Sequence, residues 1–512
     1  MKWDRTSWLL AASLLTVLLP SIGSEASDAV SLRGAVPARP PSLGNPYASL
    51  STGGIHPWGY IFDALTALSA DGTVKPALAT EWGPITATRW RFKLRPDVRF
   101  SNGDPFSADT VVAVFQYLKQ GRVDSQFASN EARAVADVVK VDNLTIEITT
   151  QAPDPILDRR MSLIFMVPER AWREMGSEAF SRQPVGTGPF RLTDWGMSSG
   201  KYFLDRYKDS WRGRGPISHI ELQIVPDATA RVQALVSGRV DLALNLGLDA
   251  LDDLRARGFT VLARERSPVE GIALPNVLPA SPLADARVRV AMNLAVNREA
   301  LAQTLMHGLT RPNGQGVLPE MFGFNPAIEA YPYDPARAKA LLAEAGFPKG
   351  FSLTLAARVD SKGPEWASAY EAIAQDLARV KIEVTIRTVT SPKWLQMWTT
   401  GDWEGADITP FSWTSTYGDA GRAIETVSCS KAGAFFCIPG MNAQIQKAAL
   451  EMNVDERRKK LQTLLKDMHA LAPNIYLFAQ IETLAYSSLV GALPFESGFY
   501  RLEDASVGAK GR

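Results

Sequence analysis

The residue types able to do chemistry are few and widely spread. "GMSSG", residues 196–200, fits the G-x-S-x-G pattern that presents a nucleophilic serine, here Ser198. Such a serine needs a sharp strand-to-helix turn, yet the flanks "PFRLTDW" and "KYFLDRY" both read as aromatic-rich strands. The pattern therefore predicts a hairpin loop, and an exported serine hydrolase is the least favoured function. "VGTGPF", residues 185–190, has two glycines spaced like the start of a phosphate cradle, but it lacks the third and runs through Pro189 into a strand. A phosphate loop hands its anion to a helix N-terminus, so a tight backbone turn is expected here instead. His56, His219, His307 and His469 show no ligand spacing, and no metal site is expected. The 54 carboxylates offer no acid/base pair that spacing singles out. No enzyme and no cofactor are expected.

The elements that must position any site alternate between strand and helix. "RWRFKLRPDVRF" has period two, with Trp90, Phe92 and Leu94 on one face and Arg89, Arg91 and Lys93 on the other. A helix follows, capped by Ser107 and stopped at Gly121. "HIELQIVPDATARVQALVSGRVDLALNL" reads as strand, helix, strand, with Asp227 as cap and Gly238 as stop, which predicts a parallel βαβ unit. Asp334, Pro335 and Gly346 punctuate another helix. The fold class expected is α/β.

Residues 1–26 read as an export signal, with Lys2 and Arg5 ahead of the apolar run Trp8 to Leu19 and cleavage near Ala26. That run is shorter than the roughly 20 apolar residues a membrane span needs. The cysteines are Cys429 and Cys437, neither placed to carry a lipid anchor, so release into a periplasm is expected. In an oxidising compartment they either close a local disulfide or remain as two buried thiols. The chain left after the signal exceeds what one core supports, so two or more domains are expected. With a formal net charge of +1 and 21% charged residues, nothing suggests a nucleic-acid partner.

Seven motifs in order resemble the family 5 extracytoplasmic solute-binding proteins of ABC importers, the peptide, nickel, opine and glutathione group. They are "YIFDALTALSADGTVKPALATEW", "WRFKLRPDVRFSNGDPFSADTVV", "PVGTGPFRL", "IVPDATARVQALVSGRVDLAL", "PLADARVRVAMNLAVNREAL", "YPYDPARAKALLAEAGFPKGF" and "LFAQIETLAYSSLVGALP". The resemblance implies a two-lobed periplasmic binding protein fold of the large type, closing about a hinge. Lobe I would comprise 27–267 plus 478–512, with an inserted subdomain at about 63–179, and lobe II 268–477. The crossings would lie near "PVEGIALPN" and "NIYLFAQ". The implied function is capture of a short peptide or peptide-like solute, glutathione included, by a monomer that delivers it to ABC permease subunits served by cytoplasmic ATPase subunits. An opine, oligosaccharide or metal chelate is the alternative ligand.

Site residues follow from the same resemblance. Peptide binders place, three residues after a Trp, an Asp that pairs with the ligand's ammonium. Here Trp413 is followed at that position by the neutral Thr416. Tyr417 belongs to the same stretch, and Asp419 is a candidate substitute for the anion. Arg358 and Lys362 are candidates for a ligand carboxylate, with Lys362 fitting the count better though Lys offers only a point charge. Asn276, after the first crossing, is a further candidate. Asn297 replaces a usual Asp before a helix, a neutral exchange at a cap.

Overall fold

In the computed structural model the described residues are 30–48, 58–120, 126–213, 215–275, 277–358, 364–414, 418–429, 435–496 and 499–507. The predicted export signal, with Lys2, Arg5 and Ala26, lies outside them, as do His56, Gly121, Asn276, Lys362, Thr416 and Tyr417. Among the described residues no helix is long and apolar enough to cross a membrane.

The largest sheet has eight strands, in the order Thr409–Trp413, Thr260–Ala273, Asn474–Tyr486, Leu242–Leu244, Val30–Val36, Ile217–Ile224, Lys201–Arg206 and Phe190–Asp194. Its spine is the antiparallel ribbon of Thr260–Ala273 with Asn474–Tyr486, whose pairing runs from Thr260–Tyr486 to Ala273–Asn474 and shifts register around Arg266–Gly271. The ribbon joins two separate sets of buried apolar side chains. One set draws on Leu32 to Leu254 and Leu484 to Ala505, the other on Val269 to Ala479. The register shifts thus fall where the chain passes from one core to the other.

Local rules account for much of what hangs on this spine. In Arg89–Leu94 the three apolar residues are buried and the three basic ones exposed, inside an antiparallel sheet with Ala79–Thr86, Thr145–Thr150 and Val135–Asp142. Each such burial is worth about 1.5–3 kcal/mol. The Asp227 carboxylate accepts from Ala230 N at 2.7 Å and starts the helix Ala228–Val236, which ends before Gly238 with φ of 70°. The strands either side of that helix are parallel, as the sequence predicts. They are not neighbours, however, because Val30–Val36 lies between them and pairs with both.

"GMSSG" is the turn of a hairpin between Phe190–Asp194 and Lys201–Arg206, and Ser198 is exposed on it. "VGTGPF" is a backbone junction. Gly188 N donates to Ile61 O at 2.9 Å, and a Cβ on Gly186 would lie 1.9 Å from that same oxygen. Only glycine permits this approach. Asn297 caps Arg298–Thr304 and Asp334 caps Pro335–Glu344 through side-chain acceptance from Ala300 N and Arg337 N.

Cys429 and Cys437 form a disulfide, their Cα atoms 4.8 Å apart. The bond links positions eight apart in the chain, so the C429A/C437A variant is expected to lose about 2–3 kcal/mol of unfolding free energy. Thiol titration under denaturing conditions should find no reactive thiol before reduction and two after it. Two thiols without reductant would overturn the pairing.

Candidate functional site

Two strand ends meet a third, continuing strand at one edge of the second core. Thr409–Trp413 runs parallel to Phe351–Arg358, joined by the Leu355–Ile408 bridge and by Ala356 N donating to Ile408 O at 3.0 Å. On its other side it pairs antiparallel with Thr260–Ala273, Val269 facing Trp413 and Ala273 facing Thr409. Arg358 and Trp413 therefore end their strands at the edge where Val269 begins the second core. Asn276 itself is not described, but the strand before it ends at Ala273, the far end from Trp413.

Trp413 is 1% exposed and belongs to the packed floor of this edge. Its ring meets Tyr476 edge-on at 4.7 Å and Phe411 at 5.1 Å, and its indole nitrogen donates to Thr426 Oγ1 at 3.3 Å. A Cβ on Gly271 would approach the ring to 2.9 Å and Ile475 O to 2.2 Å, so the floor depends on glycine there. Arg358 stacks its guanidinium 4.7 Å over the Trp394 ring, a cation–π contact that orients it without neutralising it.

Asp419 is buried and bonded within the chain. It is 1% exposed; its oxygens accept from Arg457 Nη1 at 2.6 Å, Arg457 Nη2 at 2.9 Å and Gly421 N at 2.8 Å. That is a bidentate, buried ion pair which also caps the short helix Ala420–Ile424. The carboxylate is turned inward to brace the loop. Beside it the Phe322 ring is flanked by the guanidiniums of Arg458 at 4.4 Å, Arg457 at 5.3 Å and Arg159 at 5.8 Å. Arg159 comes from the first core and donates to Gly418 O of the second at 3.2 Å. Burial pulls its affinity for a proton down, and Asp419 and Asp158 partly restore it.

The polar side chains on the opposite face from Trp413 were not singled out in the sequence. Glu270, 2% exposed, lies across from Ser412 and Phe478 in the sheet, and Ser412 Oγ donates to its Oε2 at 2.7 Å. Phe478 packs at 5.6 Å against Trp366 of the helix Pro364–Ala378, one turn before Tyr370. The signal available in the sequence was a single acid inside the apolar crossing "PVEGIAL". Among the described residues no cluster of His, Cys, Asp or Glu could hold a metal ion. A cavity of about 320 Å³ lined by Tyr47, Gln116, Tyr117, Glu169 and Trp172 lies in the first core and shares no residue with these strands.

Two separately cored α/β halves, linked by a ribbon and touching again through Arg159 and Gly418, define a two-lobed binding protein. Residues 73–434 match the family described as bacterial extracellular solute-binding proteins, family 5, and the chain belongs to that family. Haem-binding protein A of Haemophilus influenzae is 29% identical over 301 residues, covering 54% of this chain and 55% of that protein. The chain thus spans about half the length of that relative. The glutathione-binding protein of Pectobacterium atrosepticum is 25% identical over 441 residues, covering 81% of this chain and 82% of its own. HbpA2 of Haemophilus parasuis superposes with a TM-score of 0.82 at 21% identity, covering 93% of this chain and 100% of that structure. The fold is that of the two-lobed periplasmic binding proteins.

Proposed function

We propose that this chain is the exported solute-binding component of an ABC importer, a monomer that captures a short peptide or peptide-like solute between its lobes and delivers it to membrane permease subunits. Residues 1–26 would direct export to the periplasm. Lobe I would comprise 27–267 and 478–512, with an insertion at about 63–179, and lobe II 268–477. The single observation that carries the reading is that the two separately cored halves are linked by the ribbon and meet again where the first half's Arg159 donates to Gly418 of the second, near the strand that ends at Trp413. Family membership and the glutathione-binding relative support the ligand class. Enclosure of a polar ligand desolvates it, so its charges must meet fixed partners. Arg358, stacked on Trp394, offers a positive one. Asp419 is assigned to bracing, its charge already met by Arg457.

A ligand that binds the folded chain alone raises its stability by about 2.7 kcal/mol at 100 times Kd. A thermal-shift screen of di- to pentapeptides, glutathione, opines, oligosaccharides and nickel chelates should therefore raise the melting temperature for peptide-class solutes. A shift confined to another class would replace the ligand, and no shift with any solute would sink the receptor reading.

A further inference from the structure

The first core reaches the second through a small, well-fastened unit. Thr66–Leu68 and Val74–Pro76 form a hairpin whose turn is closed by Gly72 N donating to Ser69 O at 3.0 Å and Ser69 N to Thr73 O at 2.8 Å. The Asp71 carboxylate stiffens that turn, accepting from Thr73 N at 3.0 Å and from Thr73 Oγ1 at 2.7 Å. Thr66 Oγ1 donates to Asp158 O at 2.6 Å, which ties the hairpin to the short helix Leu157–Arg160. Leu65, Leu78 and Leu157 root both pieces in the first core.

What this unit touches is one stitched patch of backbone on the second core. Phe322 N donates to Gly418 O at 2.8 Å and Ala420 N to Phe322 O at 2.9 Å, a parallel bridge of Phe322 with Asp419. Gly72, at φ of 76°, lies so close to the patch that a Cβ would stand 2.1 Å from Glu320 O. Only glycine permits that approach. A Cβ on Gly418 would stand 3.2 Å from Leu68 Cδ2 and 3.4 Å from Arg159 Nη1. Arg159 Nη1 donates to the same Gly418 oxygen that accepts from Phe322 N, and its guanidinium lies 5.8 Å from the Phe322 ring.

We propose that the hairpin 66–76 and Arg159 form a clasp that favours the closed arrangement of the lobes whatever the solute, and so sets affinity through the fraction of chain that is closed. The inference rests on the receptor reading above and concerns the regulation of its site. Every group in the clasp belongs to the chain, so its contribution to closure does not depend on what is captured. A receptor whose binding-competent form is only partly populated binds with its affinity reduced by that fraction. The clasp raises the fraction. Gly418 also lies between the strand that ends at Trp413 and the helix Ala420–Ile424, so engaging it fixes backbone beside the candidate site.

The test uses the full exported chain and three variants. Gly72→Asn is a wedge: asparagine tolerates positive φ, so the turn survives while the new side chain meets the Glu320 backbone. Gly103→Asn is its control, a glycine at φ of 88° with nothing within 4 Å of a Cβ. Arg159→Met keeps bulk near Phe322 and removes the donor to Gly418 O. Small-angle X-ray scattering of the ligand-free chain should give one radius of gyration for wild type and Gly103→Asn, and a larger one for Gly72→Asn and Arg159→Met. Stopped-flow binding of trialanine and glutathione should show Gly72→Asn weakening whichever probe the wild type binds by about 10-fold, with the loss in faster dissociation. Equal radii for wild type and Gly72→Asn, or a Gly103→Asn chain as expanded as Gly72→Asn, would overturn the clasp and leave the receptor reading standing. A wild type that binds neither probe would overturn the peptide-class reading alone, because scattering decides the clasp without a solute. Should Gly72→Asn fail to fold, Arg159→Met decides: an unchanged radius overturns the clasp.

Discussion

Replacing Asp419 with alanine is expected to lower the unfolding free energy by about 3–5 kcal/mol. The loss comes from what is left behind. Arg457 is buried and gives both terminal nitrogens to Asp419, so the variant strands a guanidinium away from water. Arg458 and Arg159 lie against the same phenyl ring and add like charge to the stranded group. Truncating Asp419 also removes the acceptor for Gly421 N, and with it the cap of Ala420–Ile424. Urea denaturation followed by tryptophan fluorescence measures the effect. A double variant, D419L/R457M, should recover most of it, because removing both charges is far cheaper than removing one. If Asp419 were the ligand's counter-ion instead, the single variant would keep its unliganded stability and lose only affinity. That outcome would restore the alternative role.

This result bears on what could be read from the chain before its fold was known. Asp227, Asp334 and Asn297 were legible as caps because a cap acts within four residues, and sequence shows that distance directly. The alternation of Arg89–Leu94 was legible because its buried face follows a local period. Asp419 sits at a cap too, but its partner Arg457 lies 38 positions away, and nothing in local pattern announces such a pair. Trp413 was singled out by its sequence context, whereas its burial against Tyr476 depends on strands far apart in the chain. Glu270 and Tyr370 escaped notice for the same reason. An acid in an apolar run looks like a break in pattern until the sheet places Ser412 and Phe478 beside it. Likewise the βαβ unit was visible, but not the insertion of Val30–Val36 between its strands, since a segment far earlier in the chain supplies it.

The second large effect is expected at the other core. Arg212 is buried between two carboxylates, donating through Nη1 to Asp63 Oδ1 at 3.0 Å and through Nη2 to Glu503 Oε1. Asp63 is held in turn by Thr187 Oγ1 at 2.8 Å and Trp211 Nε1 at 2.9 Å, and Gly59 O accepts from Arg212 at 2.8 Å. Glu503 also accepts from Arg501 Nε at 2.5 Å. The network ties the C-terminal segment to the strand-and-turn framework built from the first half of the chain. Glu503→Ala should cost about 3–5 kcal/mol, because Arg212 keeps Asp63 but the balance of a fully buried site is lost. Because Asp419 and Glu503 share no partner and sit in different cores, their effects should add. Calorimetry then separates two cases. If the cores unfold independently, Glu503→Ala moves one transition and Asp419→Ala the other. If the ribbon couples them into a single unit, each variant shifts one common transition, and the size of that shift measures how strongly Thr260–Ala273 and Asn474–Tyr486 bind the halves together.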